Sequence, residues 1–248
     1  MYNILLCYTK LQRWILLYNK SFSNNWSFPS VMSGRKANLK KDLEQLFSDF
    51  KWDFIGIADD KQNIIPIPKN STCITAIIEQ KSLEILDKFV KSKYKCELIR
   101  APTTREYPDA ILRGGIFEDK IIALDIKTAR KVGTDRISGL TIGSYAGYFL
   151  HPDEKRAGCS IPYGNFDEHW IVSFLYKWDS RKNSKEMVSE IDCVVNLKWK
   201  MASKSTGTGT TKHIGSVKSI QALKDGIGGF DSEAEFLKFW RNKGNSLR

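Results

Sequence analysis

The stretch that decides the fold runs from Tyr107-Pro108-Asp109-Ala110-Ile111-Leu112 to Ile121-Ile122-Ala123-Leu124-Asp125-Ile126-Lys127. Its two apolar runs are separated by turn residues, Gly114-Gly115 and Glu118-Asp119, so the sequence predicts a pair of adjacent β-strands. Residues two apart on a strand project from the same face, and Asp125 and Lys127 therefore share one side. Because the hairpin also folds Asp109 toward Asp125, two carboxylates and one ammonium group are predicted to meet.

This cluster of charges has a direct chemical interpretation. Two carboxylates at close range need a cation between them, since otherwise one of them takes up a proton. Oxygen ligands favour Mg²⁺, which polarises a phosphodiester and lowers the pKa of a bound water. Lys127 would orient or help deprotonate that water and offset charge on the phosphoryl oxygens. The pattern predicts metal-assisted phosphodiester hydrolysis, although a surface hairpin with a salt-bridged Asp and Lys has the same pattern.

The composition indicates a single globular body with a polyanionic partner. The 248 residues carry a formal charge of +11, and no composition break or long linker divides the body of the chain. A positive charge of this size is typical of proteins that bind nucleic acid or an acidic membrane surface. No window approaches the roughly 20 apolar residues of a membrane-spanning helix, so we expect no membrane partner.

The cysteines and histidines argue against two other classes of protein. The five cysteines are scattered and form no C-x-x-C pair, which is typical of reduced thiols in the cytoplasm and not of a disulfide framework. The three histidines, His151, His169 and His213, are far apart in sequence, so a zinc site is not expected. Each is interpreted as an ordinary polar side chain or one close to nucleic acid.

Residues 1–31 differ from the rest of the chain. They contain three basic residues and no acidic one. Their apolar residues recur at helical spacing, which permits an amphipathic helix against a membrane or a partner. Because Met32-Ser33-Gly34-Arg35-Lys36 would make a plausible protein start, we favour a non-native or disordered N-terminal extension, followed by a single domain over 32–248.

Apolar periodicity predicts the elements around the charged hairpin. A helix is predicted over 39–50 and a second hairpin over 54–67. Another helix is predicted over 74–94, with Glu79 beside its buried stripe as a candidate third acid; a solvated glutamate at the helix edge fits the periodicity equally well. Further helices are predicted over 167–178 and, after a capping box at Ser232, near the C-terminus.

A strand and a loop near the C-terminus form the second informative feature. Alternating residues predict a half-buried strand over 193–202, with Lys198 and Lys200 on its outer face. It leads into a loop over 203–213, where glycines let the backbone approach another surface and threonines suit base edges in a major groove. A flexible, low-complexity surface turn is the alternative interpretation.

Several segments resemble one family across nearly the whole body of the chain. They are Tyr107-Pro108-Asp109, Ile122-Ala123-Leu124-Asp125-Ile126-Lys127-Thr128, His169-Trp170-Ile171, Thr210-Thr211, Ile214-Gly215-Ser216, Phe230-Asp231-Ser232-Glu233, Glu235-Phe236-Leu237 and Trp240-Arg241-Asn242. On these residues, the chain from about Leu39 to its end is similar to the EcoRV-type restriction endonucleases, type II enzymes with the PD-(D/E)xK nuclease fold. The resemblance implies an α+β (α/β) fold with a central mixed β-sheet flanked by helices, in a U-shaped dimer that grips duplex DNA.

The resemblance also implies roles for individual residues. Asp109 and Asp125 match the family's metal-binding aspartates, and the backbone carbonyl of Ile126 is implied as a further ligand. Lys127 matches the catalytic lysine, and Glu79 the helix glutamate associated with the active site. The residues that match the DNA-reading loops are Thr208, Gly209, Thr210, Thr211 and Lys212 on the major-groove side, and Thr104 and Arg105 on the minor-groove side.

Three departures limit what is carried over from the family. Its recognition loop reads Ser-Gly-Asn-Thr-Thr where this chain has Thr208-Gly209-Thr210-Thr211-Lys212, so Thr210 replaces an amide that can pair with adenine. The family's target sequence is therefore not carried over. The minor-groove loop reads Thr-Thr-Arg-Glu in place of glutamines and asparagines, and the chain stops at Arg248, before the family's last basic segment.

The implied activity is cleavage of both strands of duplex DNA at a short palindromic site, with Mg²⁺ as cofactor and 5′-phosphates at the new ends. The enzyme is expected as a homodimer in the cytoplasm of a prokaryote. A cognate DNA methyltransferase is expected in the same cell, because the nuclease would otherwise cut its host's DNA. Two alternatives stay open: a decayed homologue that binds DNA without cutting it, and a structure-selective repair or junction nuclease of the same fold.

Overall fold

The computed structural model describes residues 38–207 and 212–247. The helices are α1 (Leu39–Leu46), α2 (Ser71–Phe89, continued by a π-helical turn over Val90–Tyr94), α3 (Lys198–Met201), α4 (Ile220–Asp225) and α5 (Glu233–Asn245). The strands are β1 (Ile57–Ala58), β2 (Ile64–Ile65), β3 (Glu97–Arg100), β4 (Ala110–Arg113), β5 (Ile121–Gly133), β6 (Arg136–Ile137), β7 (Thr141–Ser144), β8 (Glu168–Trp178), β9 (Val188–Leu197), β10 (Ala202–Thr206) and β11 (His213–Ser216). The extension predicted over residues 1–31 and the loop residues Thr208 to Thr211 lie outside the described ranges.

A mixed sheet forms the centre of the molecule. Its strands lie in the order β3-β4-β5-β8-β9, and β6 pairs with the far end of β5. The pairing of β5 with β8 is parallel, whereas the other pairings are antiparallel. Parallel neighbours need a long crossover connection, and the chain between β5 and β8 supplies it. The predicted α+β fold with a central mixed sheet flanked by helices is confirmed.

Each face of the sheet carries its own hydrophobic core. On one face, α1 and α2 pack over Leu124 and Ile126 of β5. On the other face, Ala123 packs in a cluster that includes Trp240 of α5. Alternate residues of a strand point to opposite faces, so Asp125 belongs to the second face. The charged residues of β5 are therefore separated from the first core by the strand itself.

Helix α2 is fixed at its start and tied to β5. Its N-cap Asn70 accepts a hydrogen bond of 2.9 Å from the Cys73 N–H, which satisfies one of the free amides of the first turn. The hydroxyls of Thr75 and Thr128 share a hydrogen bond of 2.6 Å, which joins the helix to β5. Residues four apart lie on the same helix face, so this contact also turns Glu79 toward β5. The helix predicted over 74–94 is confirmed.

The helix predicted over 167–178 is wrong, because this segment is strand β8. Strand β8 lies between β5 and β9 and is covered on both faces. Val172 and Phe174 point into one core, whereas Ile171 and Leu175 point into the other. A strand buried on both faces is a continuous apolar run, and its periodicity does not distinguish it from a buried helix.

The strand predicted over 193–202 is interrupted by a helical turn. β9 ends at Leu197, and α3 redirects the chain before β10 begins at Ala202. Lys198, predicted on an outer face, is buried with 1% of its surface exposed, and Met201 is fully buried. Both point inward because residues three apart share one face of a helical turn. Apolar and polar residues continue to alternate through this turn, so the sequence pattern does not indicate it.

The first two elements are shorter than predicted. Helix α1 ends at Leu46 and not near residue 50. In the hairpin predicted over 54–67, only Ile57 and Ala58 pair with β2. Pro66 follows β2 directly, and a proline has no N–H to donate to a strand ladder.

A second, smaller sheet holds the ends of the predicted recognition loop. Its strands lie in the order β10-β11-β7, and all pairings are antiparallel. The Gly207 N–H donates a hydrogen bond of 2.9 Å to the carbonyl of His213. The described residues on either side of 208–211 are therefore held side by side at the ends of β10 and β11.

Helix α5 begins at the predicted capping box. The Ser232 hydroxyl accepts a hydrogen bond of 3.2 Å from the Glu235 N–H. The Glu235 carboxylate accepts a reciprocal bond of 2.9 Å from the N–H of Asp231, one residue before the serine. The helix packs through Phe236 and Trp240, which are both buried.

Across residues 38–207 and 212–247, no helix combines the length and apolar character needed to span a membrane. The cysteines in the same ranges, Cys73, Cys96, Cys159 and Cys193, are free thiols.

We expect the contact between α2 and the sheet to contribute strongly to stability. Ile78 is fully buried, so Ile78→Ala should lower the free energy of unfolding by about 2–5 kcal/mol through lost contacts and a residual cavity. Urea unfolding followed by circular dichroism measures the change. Ile227→Ala, at a side chain that is 65% exposed, is the control and should cost less than about 0.5 kcal/mol. Equal losses in the two variants would contradict the packing described for α2.

Candidate active site

Asp109 and Asp125 lie opposite one another at the start of β4. Strands β4 and β5 pair with Ala110 facing Leu124, and continuing this register by one residue places Asp109 opposite Asp125. Both carboxylates are largely buried, since the Asp109 side chain is 14% exposed and that of Asp125 is 4% exposed. The structure therefore brings the two predicted aspartates together.

Lys127 lies between the two carboxylates. Its Nζ is 2.8 Å from Asp125 Oδ1 and 3.4 Å from Asp109 Oδ2. It also donates a hydrogen bond of 3.0 Å to the carbonyl of Ile126. The N–H of Ile126 donates a bond of 2.6 Å to Asp109 Oδ2, which fixes that carboxylate against β5. The charges form a recessed cluster and not a salt bridge on an exposed hairpin.

The burial of this cluster shifts the pKa values of its members. Burial raises the pKa of Asp109 to about 8, with Asp125 and Glu79 adding to the shift and Lys127 opposing it. Burial by itself would lower the pKa of Lys127, but the carboxylates of Asp109 and Asp125 outweigh it and the pKa is raised. Lys127 therefore stays protonated. Asp109, Asp125 and Glu79 share its single ammonium group as an offset to their negative charges.

Glu79 reaches the edge of the cluster from α2. The bond between Thr75 and Thr128 holds the helix against β5 one residue beyond Lys127. Burial raises the pKa of Glu79, while Lys127 lowers it and Asp125 raises it. These effects place the glutamate within electrostatic range of both residues. Glu79 is half-buried and not the fully solvated helix-edge residue of the alternative interpretation.

The cluster offers oxygen atoms that suit a divalent metal ion. Asp125 Oδ2 is buried, and no donor within residues 38–207 or 212–247 forms a hydrogen bond with it. In those ranges, no three His, Cys, Asp or Glu side chains are gathered closely enough to hold a metal. Carboxylate and carbonyl oxygens nevertheless fit Mg²⁺ chemically. The residues that could supply them are Asp109, Asp125, Glu79 and, through its carbonyl, Ile126.

A cavity of about 260 Å³ adjoins the cluster. Its lining includes the three charged residues Asp109, Asp125 and Lys127, two residues of the predicted minor-groove loop, Thr104 and Arg105, and the last residue of the loop predicted over 203–213, His213. The structure therefore brings Thr104, Arg105 and His213 to the cavity that contains the charged cluster. Lys212 is exposed beside His213, whereas Thr208, Gly209, Thr210 and Thr211 lie outside the described ranges.

A buried group of aromatic rings and one lysine adjoins the aspartates, and the sequence did not predict it. The Tyr107 hydroxyl shares a hydrogen bond of 2.7 Å with His169 Nδ1, and His169 stacks on Tyr163 with ring centroids 4.1 Å apart. Burial, reinforced by Lys198, holds the pKa of His169 well below its usual range. His169 is therefore a neutral core residue, and not the polar or nucleic-acid contact suggested by the sequence.

The raised pKa of Asp109 predicts how stability depends on pH without metal. A carboxyl group with a pKa of about 3.9 when unfolded and about 8 when folded stabilises the protein below the lower value, and that stability is lost as the pH rises through the higher one. We expect Asp109→Asn, which keeps an oxygen for the Ile126 N–H, to remove this loss. The melting temperature of the variant minus that of the wild type should therefore increase with pH in EDTA.

Thermal melts from about pH 5 to about pH 9 measure this difference across the titration window. Asp60→Asn, at an exposed carboxylate, is the control and should leave the difference constant. A difference for Asp109→Asn that decreases with pH would contradict the raised pKa.

Comparisons with known proteins add an independent finding. The family model for the restriction endonuclease EcoRV matches residues 48–247. The type II restriction enzyme EcoRV of Escherichia coli is 27% identical over 221 residues, which cover 83% of this chain and 89% of that enzyme. The solved structure of the NlaIV restriction endonuclease is 14% identical, with a TM-score of 0.41, and the match covers 86% of this chain and 88% of that one. Because the family model spans most of its length, the chain belongs to the EcoRV restriction endonuclease family.

Proposed function

We propose that this chain is a type II restriction endonuclease that hydrolyses both strands of duplex DNA at a short palindromic site. One observation carries the proposal: two buried aspartates and a lysine line the same cavity as the stem of the predicted recognition loop. Groups suited to phosphodiester cleavage would therefore lie next to the bases being read. Membership of a restriction endonuclease family supports the same reaction class.

The proposed cofactor is Mg²⁺. Asp109, Asp125, Glu79 and the carbonyl of Ile126 would hold it, and the buried Asp125 Oδ2, which lacks a hydrogen-bond donor within the described ranges, supports Asp125 as a ligand. When bound, Mg²⁺ polarises the phosphodiester and lowers the pKa of a coordinated water.

Lys127 is the proposed catalytic lysine. Its raised pKa makes it a donor of hydrogen bonds and not an acceptor of protons. It would therefore orient the attacking water and offset the negative charge that develops on the phosphoryl oxygens. Attack in line with the departing 3′ oxygen leaves a 5′-phosphate and a 3′-hydroxyl.

Two loops are the proposed DNA-reading elements. The formal charge of +11 attracts the phosphate backbone independently of base sequence. Base reading is assigned to the loop after β10, through Thr208, Gly209, Thr210, Thr211 and Lys212. Thr104 and Arg105 line the same cavity from the other loop and are assigned to the minor-groove side.

We also propose that the enzyme is a homodimer that forms a U-shaped cleft around DNA. A palindromic target presents two equivalent strands, and a two-fold axis gives each strand its own active site. Large apolar side chains at and beside the β1–β2 hairpin, Ile55, Ile64 and Ile65, are about half exposed, which supports an interface there. Light scattering would then report twice the chain mass of 28.4 kDa.

Residues 32–248 are assigned to one catalytic and DNA-binding domain, with residues 1–31 as an N-terminal extension outside it. The enzyme is assigned to the cytoplasm of a prokaryote. A cognate DNA methyltransferase would protect the host DNA there without forming a stable complex with the nuclease.

Cleavage of plasmid and phage DNA tests the proposal. With Mg²⁺ the protein should produce discrete fragments with one palindrome at every sequenced end, and EDTA should prevent cutting. Asp125→Asn should lower the cleavage rate by at least about 100-fold, because it removes a charged metal ligand, while gel-shift assays should show DNA binding retained. Asp119→Asn, at an exposed residue of the same hairpin, is the control and should cut like the wild type.

Other outcomes separate the alternative functions. Binding of DNA without cutting would indicate a decayed homologue, and preferential cutting of branched DNA would indicate a structure-selective nuclease. Smeared products would show that cutting is not site-specific. Wild-type cutting by Asp125→Asn would refute the assignment of the active site.

Thr210 should contribute to the choice of target. Thr210→Ala removes a hydroxyl and a methyl group suited to a base edge, so it should slow cleavage at the identified palindrome by roughly 5- to 150-fold, equivalent to about 1–3 kcal/mol. Single-turnover rates on an oligonucleotide duplex provide the measurement. Thr72→Ala, at an exposed threonine of α2, should leave the rate unchanged. If both variants cut equally fast, Thr210 does not read the target.

A further inference from the structure

Lys198 is a buried cation with an unusual environment. Only 1% of its surface is exposed, and within residues 38–207 and 212–247 no acceptor forms a hydrogen bond with its Nζ. The Nζ lies 4.3 Å from the centre of the Tyr107 ring and 5.1 Å from that of Tyr163. Ring faces partly compensate a buried ammonium, but they do not replace a carboxylate partner. The position of this charge therefore requires an explanation beyond packing.

The surrounding backbone leaves room for the ammonium group. A Cβ atom on Gly143 of β7 would lie 2.9 Å from Lys198 Nζ. Gly143 also has a φ of +103°, a conformation that side-chain-bearing residues rarely adopt. Gly143 therefore leaves space in β7, beside the cavity, for the end of the Lys198 side chain.

Lys198 belongs to the electrostatics of the candidate active site. Burial lowers its pKa to about 8, Asp125 raises the pKa and Lys127 lowers it, which shows that the three side chains sense one another. Lys198 is not within ion-pair distance of Asp125 among the contacts of the described residues, and its burial keeps it from DNA. It can therefore influence the site through its charge but not as a ligand.

The charges of the site show what this influence would be. With Asp109, Asp125 and Glu79 ionised, Lys127 and Lys198 leave the cluster with a net charge of −1. Without Lys198 the net charge would be −2, which would match one divalent cation without any help from DNA. With Lys198 present, a divalent cation leaves an excess of one positive charge, which one backbone phosphate of DNA would neutralise.

We propose that Lys198 weakens the binding of a divalent metal to the DNA-free site, so that strong metal binding requires the negative charge of a bound phosphodiester. This inference rests on the proposed metal-dependent nuclease function. It assigns to Lys198 an effect on metal binding that acts through charge alone, without contact with the proposed metal ligands. The free enzyme would thereby hold little metal until DNA is in the cleft.

Competition from protons does not reverse the sign of this effect. Removing the charge of Lys198 makes the carboxylates attract protons more strongly as well as metal. A divalent ion carries twice the charge of a proton, so at the same position it gains about twice as much free energy from the lost repulsion. Metal binding is therefore strengthened even where one proton must leave the cluster.

Titration of the free protein with Mn²⁺, followed by electron paramagnetic resonance of the unbound ion, tests the proposal. Lys198→Met, which is similar in length but neutral, should bind Mn²⁺ about tenfold more tightly than the wild type at the same pH. Lys198→Gln should do the same, whereas Lys198→Arg should retain weak binding because it keeps the charge. Lys200→Met, on the same short helix but half-exposed, controls for the overall loss of one positive charge.

Additional measurements locate the effect and check the fold. Adding Asp125→Asn to Lys198→Met should abolish the tighter binding, which assigns it to this site. The Mg²⁺ concentration for half-maximal plasmid cleavage should also fall in Lys198→Met. Its melting temperature should not drop, because a neutral side chain replaces a buried charge that has no acceptor within the described ranges.

The possible failures are distinguishable. If the wild type cuts plasmid DNA with Mg²⁺ but the Met and Gln variants, both folded, bind Mn²⁺ no more tightly than Lys200→Met, the inference about Lys198 is overturned and the proposed function stands. If the wild type neither cuts DNA nor responds to Mg²⁺, the proposed function fails and the inference fails with it.

Discussion

The ammonium of Lys127 allows two aspartates to share one recessed corner of this fold. At 2.8 Å from Asp125 and 3.4 Å from Asp109, it offsets part of the cost of burying like charges side by side. The arrangement depends on the register of β4 against β5, which faces Asp109 with Asp125. A slip of one residue would turn Asp125 into the core under α2. The apolar residues on both faces of β5 thus secure the geometry of the charged ones.

The site also depends on the meeting of two sheets. The large sheet positions the two aspartates and Lys127, whereas the small sheet holds the ends of the proposed recognition loop. Only the four residues of α3 separate β9 of the first sheet from β10 of the second. Such a short connection leaves little freedom for one sheet to move without the other. In the proposed enzyme, the residues that read the bases and those that cleave the bond are therefore held at a nearly fixed separation.

The charged hairpin over 109–127 and α2 were predictable because the sequence patterns that indicate them are local. Alternation places Asp125 and Lys127 on one face, and an amphipathic stripe identifies α2. Glu79 needed more, since its approach to the cluster follows from the distant contact between Thr75 and Thr128. Periodicity fits a third acid and a solvated glutamate equally well at this position. The family resemblance favoured the acid.

Other features depend on packing that no local pattern records. Strand β8 is covered on both faces by segments far away in the chain, so its apolar run fits a helix or a strand equally well. Lys198 is buried because α3 turns it toward rings contributed by residues 107 and 163. In the sequence it alternates with apolar neighbours, as a solvent-facing lysine would.

The open space at Gly143 has a consequence for attempts to redesign specificity. Strand β7 belongs to the small sheet, yet its glycine makes room for Lys198, whose charge reaches the candidate active site. A chimera that imports strands β7, β10 and β11 of a relative would have to keep this glycine and lysine together. A larger residue in place of the glycine would put its Cβ 2.9 Å from the ammonium group, which would have to shift, and would adopt a strained φ of +103°. Gly143 and Lys198 are therefore structurally coupled, and neither should be exchanged without the other.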